Sequence, residues 1–202
     1  MNHFAHLVLA QPTLESTVGN LLGDFARGVD ADRLPRAVRA GLLNHRAVDR
    51  FTDAHPRIRQ MKRCFSRERR RFAGIALDIY FDHLLINHWS RFESRHLESL
   101  MAEIYRRMSA ARELMPHDDM RRVTGRMVEY DWFGSYRHVD AVAESLDRVA
   151  GRIRFANRFD NAIEDLLRNQ EQIRDGFFEF YPQLQRHVSE LAIETGELTA
   201  SS

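Results

Sequence analysis

The residues of this chain best suited to chemistry are acids and histidines set in segments that otherwise read as core. Residues 73–89, AGIALDIYFDHLLINHW, are apolar on every side, as in a helix buried at the centre of a fold. Asp78, Asp82, His83, Asn87 and His88 interrupt that pattern. Asp78 and Asp82 share a face because they are four apart, and His83 lies about 100° round from Asp82. A buried carboxylate costs several kcal/mol, roughly, unless it is paired or binds a cation, and the segment contains no Arg or Lys.

Three further segments repeat the anomaly. The helix expected over 35–54 turns Val38, Leu42, Val48 and Thr52 inward, and His45 and Asp49 fall on the same stripe, with Asp53 a turn further on. A His and an Asp at this spacing can share a metal or bind each other. Asn20 and Asp24 interrupt the apolar run GNLLGDF, and Asn2 and His6 sit among Phe4, Leu7 and Leu9. Taken singly, a buried His is ordinarily a satisfied core residue, and Asp78 or Asp49 could pair with Arg46 or Arg50. Recurrence in four segments favours a metal or catalytic site. Mixed imidazole and carboxylate ligands favour manganese, magnesium, iron or zinc.

These residues need rigid elements to hold them. Helices are expected near 2–10, 13–27, 35–54, 56–66, 69–92, 94–114, 118–131, 135–150 and 158–198, the last broken near Pro182. Thr13 suits an N-cap, Gly28 a stop, and Pro35 and Pro56 first-turn positions. The chain has 202 residues with only ten Gly and five Pro, and it lacks long β-branched alternation, so the expected class is all-α in a single domain over 1–202. Cys64 is the sole cysteine, which rules out an intrachain disulfide and suits a reducing compartment. The first ten residues lack the basic start of a signal peptide, and no stretch is long and apolar enough for a membrane span, so a cytoplasmic protein is expected.

Net charge is +1, yet residues 57–71 carry eight basic side chains and one acid, Glu68. This run is either a solvated face or a docking patch for an acidic partner. Nucleic acid is disfavoured, since the run is short and no recognition motif accompanies it. Trp89, Trp132, Phe133, Tyr136 and the aromatics of 177–181 read as packing residues. Gly-rich phosphate loops, a GxSxG elbow and Cys pairs are missing from the sequence.

The succession MNHFAHLVLA, GNLLGDFARG, HRAVDRFTD, LDIYFDHLLINHW, then Tyr130 to Tyr136 and FFEFYP at 177–182, resembles the acyl-carrier-protein phosphodiesterase family over nearly the whole chain. The resemblance implies an all-α fold related to HD-domain phosphohydrolases. It also implies metal-dependent hydrolysis, commonly with manganese, of the phosphodiester joining phosphopantetheine to a serine of acyl carrier protein, an acidic helical protein. On this basis Asp24 matches the family's essential aspartate. His45, Asp82 and His83 match HD-type metal ligands, with His6 and Asp78 close by, although the adjacent pair here reads Asp-His. His6 or His88 is then the expected general acid, and Arg57, Arg59, Arg63, Arg67, Arg69, Arg70 and Arg71 would steer the carrier. An HD-type nucleotide phosphohydrolase and a non-catalytic helical binding protein are the rival readings.

Overall fold

The computed structural model describes residues 1–154 and 158–196. Among them are eleven α-helices, short 3-10 turns and no strand, as the composition predicts. The expected end of the last helix, at 197–198, and the C-terminal serines lie outside the described residues. In chain order the helices are α1 His3–Leu9, α2 Leu14–Leu22, α3 Arg36–Ala54, α4 Pro56–Lys62, α5 Ala73–Asn87 and α6 Leu97–Ala110. They continue with α7 Asp118–Glu129, α8 Trp132–Ser135, α9 Val139–Arg152, α10 Ile163–Arg168 and α11 Gln170–Leu191. No helix of the described residues is long and apolar enough to cross a membrane.

The central element is α5. Its apolar side chains Ala76, Leu77, Phe81, Leu84 and Leu85 are buried on successive faces, so neighbours must cover it all round. Phe81 stacks on Phe177 and lies beside Phe180 of α11. On the other side, α1 packs Phe4 near Trp89 and Phe133. The buried side chains form one continuous hydrophobic cluster from Met1 to Leu184.

Local chemistry explains most helix ends. Thr13 caps α2 by accepting from the amide of Ser16 at 3.1 Å, and Pro56 occupies the first turn of α4. The expected helix over 13–27 stops earlier, in a 3-10 turn at Gly23–Phe25. Gly28, at a φ of 81°, turns the chain onward in a conformation that a side chain would strain. The expected 158–198 helix is instead two helices divided at Asn169, whose side-chain amide donates to the carbonyls of Cys64 and Asp165. Pro182 does not break α11. It lies on the exposed side, where water can meet the carbonyl that its missing N–H leaves unpaired.

Helices α2 and α3 make the closest approach in the fold. A Cβ on Gly19 would collide with the carbonyl of Val38 and lie 2.7 Å from the Cα of Gly41, and one on Gly41 would lie 2.9 Å from the carbonyl of Ser16. Only glycine lets these backbones touch. Gly19→Ala is therefore expected to lower the free energy of unfolding by about 1–3 kcal/mol, the usual cost of overpacking. Gly151→Ala, where an added Cβ meets nothing within 4 Å, should be neutral or stabilising by up to about 1 kcal/mol. Urea denaturation of the two variants checks the contrast.

Candidate metal centre and catalytic cleft

Contact between α2 and α3 places His45 over the turn that follows α2. The ring lies so close to Gly23 that any Cβ there would overlap it. His45 Nδ1 lies 2.7 Å from the carbonyl oxygen of Asn20, so this nitrogen carries the proton and donates. The Nε2 atom then faces Asp49 Oδ2 at 3.0 Å, one helical turn along α3. In a neutral ring that nitrogen is a bare lone pair aimed at a carboxylate, and a proton or another cation must lie between them.

His6 reaches the same carboxylate from α1. Its Nε2 is 3.2 Å from Asp49 Oδ1, and its ring stacks on that of His45 with centroids 3.9 Å apart. One ligand atom from each of His6, His45 and Asp49 lies within 4.8 Å of the others. Ligand atoms about 2.1 Å from one ion stand roughly 3–3.4 Å apart, and the two nitrogens here lie 3.2 and 3.0 Å from the two oxygens of the Asp49 carboxylate. The carbonyl on His45 Nδ1 is the customary outer partner of a metal-bound histidine. The donor set therefore fits a divalent cation.

Asp82, Asp78, His83 and His88 stand elsewhere. Asp82, fully buried, accepts from the backbone amides of Phe4 at 3.1 Å and Ala5 at 2.9 Å. Both oxygens are thus committed to the N-terminus of α1, whose own N-cap residue Asn2 makes no side-chain cap bond. Burial pushes the Asp82 carboxyl up to about 7, while the two amides pull it down. Asp78 is 3.1 Å from the buried α-amino group of Met1, which is 3.2 Å from Asp49 Oδ1. Burial raises the Asp78 pKa despite that amine. His83 points the other way, with Nδ1 2.7 Å from the carbonyl of Tyr136. Its neighbour in sequence faces α1, so the adjacent Asp-His pair does not converge on one ion. His88 packs edge-on against Phe178, outside the cluster.

Asp24 sits in the Gly23–Phe25 turn and pairs with His3 Nδ1 at 3.0 Å. Desolvation opposes its charge. His3 overrides this, helped by His45 and His6, and holds Asp24 well below the usual carboxylate range. Burial also disfavours a charged His3, but Asp24 outweighs it and raises the His3 pKa. The two residues help line a cleft of about 830 Å³ between the Gly23–Phe25 turn, α7, α8 and α9. His6 contrasts with His3. Desolvation drives it down to about 4, against the hydrogen bond with Asp49. It is neutral near pH 7, which suits a ligand and not the general acid expected of it.

Asp49 shares an inward stripe with His45, and that spacing is the sequence signal for a shared cation. His3 is not among the residues expected from the sequence; the fold sets it beside Asp24. The expected docking run is largely committed within the fold. Arg57 pairs with Glu179, Arg69 with Glu164 and Asp165, and Arg70 donates to the carbonyls of Arg63 and Phe65. Arg71 lies over the ring of Phe72. Arg59 and Arg63 line a separate shallow cleft with Pro56 and Gln60, and Arg67 is exposed.

The His6 environment has a measurable consequence. Its folded pKa lies below the unfolded value of 6.5, so the unfolded chain takes up the proton first. The stability it contributes is complete above about pH 6.5 and is lost as pH falls toward 4, about 3 kcal/mol over the full window. Urea midpoints of metal-free protein should fall across this window, and His6→Asn should lessen the fall. Asp82→Asn offers one acceptor where two amides need two, and should cost about 1–3 kcal/mol by the same measurement.

The family described as acyl carrier protein phosphodiesterase matches residues 1–184. A protein of Serratia proteamaculans named acyl carrier protein phosphodiesterase is 33% identical over 196 residues, 94% of this chain and 98% of its own. Proteins of the same name from Shigella boydii and Escherichia coli are each 31% identical over 195 residues, 96% of this chain and the full length of theirs. No solved structure matches the chain. On both the family match and this full-length similarity, the chain belongs to the acyl carrier protein phosphodiesterase family.

Proposed function

We propose that this protein is a metal-dependent hydrolase that cleaves the phosphodiester between phosphopantetheine and a serine of acyl carrier protein, releasing apo-carrier and phosphopantetheine. The carrying observation is the convergence of His6, His45 and Asp49 on one point, beside a cleft headed by Asp24. The names of the full-length relatives support the substrate.

His6, His45 and Asp49 would hold the divalent cation, with manganese the leading candidate and magnesium, iron or zinc the others. Bound there, it would supply Lewis acidity and a hydroxide at near-neutral pH. The remaining work falls to the chain. Asp24 stays anionic at neutral pH, so it accepts a hydrogen bond from the attacking water and orients it, the water's proton passing on to solvent. His3, kept protonated more readily by Asp24, donates to the departing serine oxygen. The Asn20 carbonyl holds the His45 tautomer. Asp82 acts at a distance by seating α1, and so His3 and His6, against α5.

The test is the mass of holo-carrier after incubation with the purified protein. Loss of the phosphopantetheine group is expected with manganese, with arrest on chelation and recovery on adding the metal back. Asp24→Ala should lose at least about a hundredfold in turnover with helix content unchanged. His45→Ala should lose metal in elemental analysis as well. A carrier of unchanged mass, alongside hydrolysis of a nucleotide, would overturn the reading in favour of a nucleotide phosphohydrolase.

A further inference from the structure

Two pairs of arginines, each four residues apart, face the same cleft from different helices: Arg122 and Arg126 on α7, and Arg148 and Arg152 on α9. A four-residue spacing stacks side chains on one helical face, so each pair forms a short basic column on its side of the cleft. All four side chains are exposed. Arg122 pairs with Asp119 and Arg148 with Glu144 at 3.9 Å. Arg126 and Arg152 have no ion-pair partner among the described residues. The columns are steadied by rings, with Arg126 5.7 Å from the centre of Tyr130 and Arg148 5.9 Å from that of Trp132.

From this arrangement we infer that the α7–α9 cleft is the docking groove for an acidic helix of the protein substrate, carrying carboxylates one turn apart. The inference rests on the proposed function for the identity of that protein. Carboxylates one turn apart on the incoming helix can meet Arg126 and Arg152, and can exchange with Asp119 and Glu144 for the other two arginines. Those local pairs are exposed and contribute little individually, so exchange costs little. The interleaved acids also disfavour a continuous polyanion such as nucleic acid, which would place phosphates against both of them. His3 and Asp24 line the same cleft, so a carrier docked there stands beside the groups proposed to act on it. The 57–71 run lines no part of this cleft.

Binding of apo-acyl carrier protein, which has no bond left to cleave, tests the groove apart from the activity. Titration calorimetry of the full chain should show affinity that weakens as salt rises. Arg126→Glu/Arg152→Glu should weaken it at least about tenfold, and Arg126→Gln/Arg152→Gln by an intermediate factor. Unchanged affinity in both variants would overturn the groove, as would an equal loss in Arg59→Glu/Arg63→Glu, which would place docking on the other basic surface. Binding that responds as expected, in a protein that leaves holo-carrier intact, would uphold the groove and remove the proposed activity.

Discussion

A single buried carboxylate joins the framework to the chemistry. Asp82 projects from α5, which is buried on successive faces, and accepts from two amides at the start of α1. A carboxylate in that position is expensive to bury, yet a helix N-terminus has free amides and the positive end of the helix dipole to offer it. Each side therefore satisfies a need the other cannot meet alone. The consequence is positional. Helix α1 has only seven residues and little intrinsic stability, but it carries both His3 and His6. Their location relative to α3 and to the Gly23–Phe25 turn follows from where Asp82 anchors the helix.

A second framework sets the orientation of His45. Backbone contact at Gly19 and Gly41 brings α2 against α3, and Asn20 stands at that junction with all its polar groups engaged. Its carbonyl meets His45, its side-chain oxygen accepts from Asn44, and its amide donates to Ser16 and Glu194. Glu194 arrives after α11, past the left-handed turn at Ala192, and lies beyond the stretch matched by the family. It also accepts from Ser16 and from the amide of Gln11. The C-terminal segment thus braces the residue that fixes the histidine tautomer, although it contributes no atom to the centre.

The two histidines of α1 illustrate how environment separates roles. His6 is enclosed beside another imidazole, and desolvation keeps it neutral. His3 lies three residues earlier beside an anionic Asp24 at the cleft, and that carboxylate favours its charged form. One short helix thus holds two imidazoles whose charge is pushed in opposite directions, by burial on one side and by a carboxylate on the other. This pair and the arginine columns of α7 and α9 line the same cleft.

Helix class, most helix starts and the inventory of misplaced polar residues were readable from the sequence, because periodicity, caps and proline positions act over a few residues. Four segments with acids or histidines in apolar runs marked His6, Asp24 and His45 as residues of interest. The family resemblance implies Asp82 and His83 together as metal ligands. Only the tertiary structure decides that one faces α1 and the other Tyr136, since neighbours on a helix diverge by about 100°. It likewise decides that Asp49 joins His6 across 42 intervening residues of chain, and that much of the 57–71 arginine run is taken up by Glu179, Glu164, Asp165 and nearby carbonyls. A buried charge announces in the sequence that it needs a partner. Which partner it receives depends on the packing of helices far apart along the chain.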